Sequence, residues 1–143
     1  KLLDRFRVIM YYITMCKKKR YMELAKRMAE QSEYGKFKHG AVLVQGGSVL
    51  NCSFNKDNYN SFGSRFRPKS KGNATLHAEI GCVLGIPRTK TTGADVYVAR
   101  VNRQGDEKIS KPCKMCQNVL KHVGVKRVIY TTNEEGKHEV MKL

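Results

Sequence analysis

A chain of 143 residues with 41% apolar content suits one domain around a single core. No apolar run approaches the roughly 20 residues that span a bilayer, so no membrane span is expected. The net charge of +16, from 28 Lys and Arg against 12 Asp and Glu, favours polyanions, nucleic acid first and an anionic membrane surface second, over a merely solubilising surface; nucleic acid and no membrane is the expected partner, and the charge exceeds what an enzyme of free nucleosides needs.

Leu2, Leu3, Phe6, Ile9, Met10 and Ile13 recur at spacings of three and four, which predicts a helix over residues 1–16. The basic run Lys17-Lys18-Lys19-Arg20 follows this apolar stretch, whereas an export signal carries its charge before it, so none is read. Residues 21–34 read as a second helix, with Leu24, Ala25 and Met28 as the buried stripe and Gly35 as its stop. Residues 41–44 and 48–54 read as strands of a hairpin turning at Gly46-Gly47. Residues 56–75 lack periodicity and read as a long loop. Residues 76–84 read as a short helix ended by Gly85 and Pro87, and residues 94–101 as a strand with Val96, Val98 and Val101. A loop over 103–112 leads to a helix over 113–123, which Gly124 is placed to stop. Residues 127–132 and 138–143 read as the last two strands. The short turn Asn133-Glu134-Glu135-Gly136 makes that pair antiparallel. This order predicts an α/β chain, a mixed sheet with helices on its faces.

Five cysteines, two of them at metal spacing, do not form a disulfide framework. An intracellular, reducing compartment, cytoplasm or nucleus, is expected. Cys16, Cys52 and Cys82 are expected to be small buried core residues.

Two stretches carry chemistry: His77-Ala78-Glu79 and Pro112-Cys113-Lys114-Met115-Cys116. They supply one imidazole, two thiols and a carboxylate that is not needed as a ligand. Catalytic zinc takes three protein ligands and keeps its fourth position for water, whose pKa it lowers. His77, Cys113 and Cys116 are therefore the expected ligands and Glu79 the acid/base. All three ligands are expected in the first turns of helices, where the field of unpaired N–H groups lowers thiol pKa. A structural site would need a fourth protein ligand, for which Cys82 is the nearby candidate.

The pattern H-x-E…P-C-x-x-C marks the zinc nucleobase deaminases. On these residues the chain resembles the cytidine/deoxycytidylate deaminase superfamily, over about residues 21–143. The resemblance implies a three-layer cytidine deaminase-like fold, whose mixed five-stranded sheet is flanked by helices carrying the ligands of one Zn2+. It divides the chain into a helical, basic extension over 1–20 and a zinc-dependent deaminase domain over 21–143. It assigns a sugar contact to Asn55, the border of the base to Gly40 and Ala41, and backbone contacts with the exocyclic amine and ring edge to Ala78 and Ser110. Polynucleotide cytosine deaminases of the APOBEC group have Ser-Trp-Ser before Pro-Cys, and tRNA adenosine deaminases tend to have Glu. Ser110-Lys111 departs from both, and Lys111 either adds a cation beside the pocket or is simply exposed.

Residues 56–75 hold Lys56, Arg65, Arg67, Lys69 and Lys71 against Asp57 alone, interleaved with Tyr59, Phe62 and Phe66. Cations that follow phosphates and rings on which bases stack are what single-strand binding uses. The competing reading tucks those rings into the core. The leading function is therefore hydrolytic deamination of cytosine in single-stranded DNA or RNA, a nucleic-acid editing reaction. A deaminase of free cytidine, deoxycytidine or deoxycytidylate comes second, because the antiparallel last strands resemble that group. Adenosine deamination in tRNA comes third, and a non-catalytic zinc module that binds nucleic acid comes last.

Overall fold

Side-chain alternation along two central strands sets the layers of this molecule. The computed structural model describes residues 5, 17–68 and 74–143. The helix expected over 1–16, with Cys16, and the cations Lys69 and Lys71 lie outside the described residues, Arg5 excepted. The elements run α1 (Lys17–Glu30), β1 (Lys38–Gln45), β2 (Ser48–Phe54), β3 (Lys56–Tyr59), α2 (Ser61–Ser64), β4 (Thr75–Leu76) and α3 (Ala78–Gly81). Then follow α4 (Arg88–Thr91), β5 (Asp95–Val101), β6 (Glu107–Lys108), α5 (Lys114–His122), β7 (Arg127–Thr131) and β8 (His138–Lys142).

The sheet has the order β2-β1-β5-β7-β8, with the two-residue β6 added beside β5. It is mixed: β5 and β7 are parallel, and every other pair, including β7 with β8, is antiparallel. Helix α5 lies in the crossover that a parallel pair requires. Ala41, Leu43, Val96, Val98, Val128 and Tyr130 form one buried cluster with Ala78 and Ile80 of α3 and with Met115, Cys116, Val119 and Leu120 of α5. The alternate residues Val42, Val44, Tyr97 and Ala99 pack on Met22 and Ala25 of α1. Helices therefore cover both faces. The hairpin between β1 and β2 turns at Gly46 and Gly47, both with positive φ (59° and 77°), which a two-residue turn of this hand needs.

Two sequence expectations are corrected here. The helix expected over 21–34 is Lys17–Glu30, so the basic run belongs to it. Its fully buried stripe is Met22, Ala25 and Ala29, with Leu24 and Met28 only half-buried. The reason lies in β1: a Cβ on Gly40 would meet the backbone of Ala25 and Ala29, so the small helical face must turn toward the strand. Residues 56–75 are also more than a loop. There β3 and β4 form an antiparallel ribbon (Lys56↔Leu76, Tyr59↔Thr75) that encloses α2, and Asn60 N–H donates to the Ala74 carbonyl at 2.9 Å. These elements are too short to show a period, and packing of Phe62 and Phe66 on the main cluster holds them. Among the described residues, Cys52, Cys82, Cys113 and Cys116 are free thiols, and no helix is long and apolar enough to cross a membrane.

Candidate metal centre and active-site cleft

The two chemical motifs open helices, but His77 and Cys113 stand one residue before the first helical turn. Each is an N-cap in extended backbone (φ −74°, ψ 151° and φ −66°, ψ 166°), and neither side chain caps its helix. The ring nitrogens and the thiol are thereby left to other partners. Cys116 follows Cys113 by three residues, on the same face of α5. The approach to α5 is fixed from two sides. Gln117 donates through its backbone N–H to the Cys113 carbonyl (2.9 Å) and through Nε2 to the Pro112 carbonyl (2.8 Å). The Ser110 hydroxyl donates to the Val98 carbonyl (2.9 Å) and accepts from the Thr131 N–H (2.9 Å), tying the segment to the end of β7.

His77 Nδ1 lies 3.3 Å from Cys116 Sγ and 3.6 Å from Cys113 Sγ. The three ligand atoms all lie within 4.8 Å of one another, and among the described residues they are the single group of this kind. Without a metal, the Cys113 thiol is pulled down to about 4, first by the hydrogen bond from Cys116 and then by His77, against its burial. Cys116 is pushed well up because it holds the shared proton and is buried. His77 is raised by its hydrogen bond with Cys113. One imidazole and two thiols, already competing for protons at close range, form a donor set that fits zinc, which binds when those protons leave. Cys82 does not join them: it is fully buried, its thiol donates to the Glu79 carbonyl at 3.1 Å, and burial raises its pKa.

Glu79 is only 4% exposed, yet it lines a cavity of about 350 Å³ together with His77 and Cys113. Of the other expected site residues, Asn55, Ala78 and Lys111 line this cavity. Gly40, Ala41 and Ser110 do not: Gly40 abuts α1, Ala41 is buried in the main cluster, and Ser110 is a buried tie to the sheet. Asn55 clamps the segment before β1, donating through Nδ2 to the Phe37 carbonyl (2.8 Å) and accepting from the His39 N–H at Oδ1 (3.0 Å). The cavity wall also contains Tyr34, Phe37, His39 and Thr75, which sequence reasoning missed. For Phe37 a signal existed: one aromatic between Lys36 and Lys38, in a segment with no helical or strand period.

Two further cavities share wall residues with this one. A second cavity of about 450 Å³ shares His77 and Cys113 with it and adds Phe66, Arg67, Pro68 and Lys114. A third, of about 460 Å³, shares Tyr34 and Asn55 and adds Lys56 and Asp57. Within the basic-aromatic segment, Phe62 and Phe66 pair edge-to-face at 5.5 Å and pack on the core, so these rings are partly spent on folding. Tyr59 is 64% exposed on β3 and lines none of the three cavities, and Arg65 is exposed in the turn after α2.

The family profile described as "Cytidine and deoxycytidylate deaminase zinc-binding region" matches residues 15–132. No curated protein matches the chain. Among solved structures, the dCMP deaminase from the cyanophage S-TIM5 in its apo form superposes with a TM-score of 0.57 at 24% identity, over 79% of this chain and 80% of that one. RibD from Acinetobacter baumannii superposes at 0.51 with 19% identity, over 80% of this chain but only 27% of its own. A structure from a study of A-to-I editing by tRNA:A34 deaminases at the wobble position of transfer RNA superposes at 0.50 with 27% identity, over 80% of this chain and 76% of that one.

Proposed function

The chain belongs to the cytidine and deoxycytidylate deaminase family, and on that premise we propose that it hydrolyses cytosine to uracil within single-stranded nucleic acid. Water adds at C4, the bond from C4 to the exocyclic nitrogen breaks, and ammonia leaves. When held by His77, Cys113 and Cys116, zinc supplies a Lewis acid that brings the pKa of water toward neutrality. Glu79 moves the protons: it takes one from water, gives it to ring N3, and passes the next to the departing amine. Its buried place in the same cavity as His77 suits that task, since a general base must lie within hydrogen-bond reach of the proton it takes. A module that only binds has no use for such a carboxylate.

The observation that carries the polynucleotide reading is the sharing of walls between cavities. Three cavities that share wall residues line up as a trough in this reading, with Lys56, Lys111, Lys114 and Arg67 on its walls and with Glu33 and Asp57 also present at the Lys56 end. A strand longer than one nucleotide fits a passage better than a closed pocket. Asn55 keeps one amide hydrogen and one lone pair beyond its clamp, which suits the proposed sugar contact. The antiparallel β7–β8 pair favours a second reading, a free mononucleotide in the same base pocket.

Ammonia release from cytidine, deoxycytidylate, single-stranded DNA, single-stranded RNA and adenosine-bearing RNA, each with and without chelator, separates these readings. Turnover of cytosine is expected to be fastest in a single strand and to be abolished by chelation. Turnover confined to free nucleotides, or to adenosine, overturns the proposal. Activity unaffected by complete zinc removal overturns the site itself.

A further inference from the structure

We propose that Phe37 is a stacking platform for the nucleobase next to the target cytosine. The inference rests on the single-strand reading above and deepens it. Phe37 is 55% exposed, and it is the only large exposed hydrophobic among the described residues that also lines the cavity of Glu79 and His77. Leaving a ring in water beside the cavity sacrifices burial, and several contacts keep it there.

The backbone carbonyl of Phe37 accepts from Asn55 Nδ2 at 2.8 Å and lies 3.1 Å from His39 Nδ1. The guanidinium of Arg100 lies 4.5 Å from the ring centroid, so a cation backs one side of the ring. The guanidinium of Arg103 lies against Gly35 two residues earlier. The ring is thus oriented by its own main chain and by a cation behind it, while more than half of the residue faces solvent. Alternation of Lys36, Phe37 and Lys38 repeats, on a described segment, the cation–ring–cation chemistry by which single strands are held without base reading. By contrast, Phe62 and Phe66 are partly occupied by the core, which leaves Phe37 as the ring best presented at the site.

The test uses the zinc-replete full chain and oligonucleotides with one cytosine and 2-aminopurine on its 5′ or its 3′ side. Fluorescence is read on the Glu79→Gln background, so that substrate stays intact, and kcat/KM is read with Glu79 present. Binding is expected to quench 2-aminopurine at one flank. Phe37→Ala should abolish that quench and Phe37→Trp should keep it. The ratio of kcat/KM on the oligonucleotide to that on deoxycytidylate should fall about 5- to 150-fold in Phe37→Ala, following the usual worth of base–aromatic stacking. If the wild type deaminates the oligonucleotide but the quench is absent at both flanks or survives in Phe37→Ala, the inference fails and the single-strand reading stands. Equal losses on both substrates assign Phe37 to the target base itself and likewise overturn it. If the wild type deaminates deoxycytidylate and no oligonucleotide, the single-strand reading fails and the platform with it.

Discussion

Glu79 combines burial with access to the cavity, and the work assigned to it depends on both. Glu79→Gln keeps the size of the side chain and removes its proton affinity. The expected result is a fall in kcat of about 10²–10⁴-fold, with zinc still at one ion per chain by metal analysis. Turnover retained in the metal-loaded variant removes Glu79 from the mechanism. The sulfurs make a matched pair of expectations. Cys116→Ala loses a ligand and should lose zinc, whereas Cys82→Ala should keep it, because the Cys82 thiol is engaged with the Glu79 carbonyl. Zinc lost from both variants would restore the four-ligand, structural reading. The candidate ligands were legible in the sequence because chemistry restricts the residue types and the helix period sets the spacing of Cys113 and Cys116. The part of the cavity wall around the start of β1 was much less so. Tyr34, Phe37 and His39 reach the site through the turn of the chain after α1 and the Asn55 clamp, and no local pattern announces a contact between residues 37 and 55.

Elements long enough to alternate were readable, and short ones were not. Strands β1 and β5 show their two faces as pairs of apolar residues, whereas β4 and β6 have two residues each and exist only through their partners. Gly40 has a packing role beside the one that resemblance gives it. Resemblance assigned it to the base, and the structure places it where β1 touches α1. Its added Cβ would meet backbone atoms, which cannot move aside as a side chain can, so the helix must shift. Gly40→Ala should cost about 1–3 kcal/mol in urea unfolding, the usual range for overpacking. Zinc content and activity per folded molecule should change little. Unchanged stability would show that α1 adapts freely. Glu135 gives a pH-dependent expectation at the joint between the β7–β8 turn and β6. Its carboxylate accepts from the Glu107 N–H at 3.0 Å and pairs with Lys26 at 3.3 Å, which together hold its pKa below the ordinary value. A depressed carboxyl stabilises the fold above its unfolded pKa, and that contribution is lost as pH falls through the lower folded value. Glu135→Gln should therefore lower stability near neutrality, by under about 1 kcal/mol for so exposed a group, and the difference should vanish in acid. A difference that persists once pH lies below the folded value would mean packing rather than charge.

At the scale of the whole molecule, the excess of positive charge must be either a general coat or part of substrate binding, and salt separates the two. Each phosphate neutralised on a single strand contributes about −0.7 to the slope of log K against log salt. Lys56 shares its cavity with Glu33 and Asp57, which leaves Arg67, Lys111 and Lys114 for phosphate, so about three contacts and a slope of about −2 are expected. Lys18 and Lys19 border a separate cavity with Tyr97 and Arg127 on the α1 face, away from Glu79, and so provide an internal control. Converting Lys111 and Lys114 to Gln should reduce the slope by about 1.4, that is, by two phosphates. Converting Lys18 and Lys19 to Gln should leave it unchanged if the strand follows the trough. Fluorescence titration of a short oligonucleotide between low and moderate salt measures all three slopes. A flat wild-type response would reduce the net charge of +16 to a solubilising coat and leave a mononucleotide as the substrate that fits the site. A slope that falls equally in both double variants would place nucleic acid across the whole surface, and the trough would lose its claim to guide the strand to Glu79.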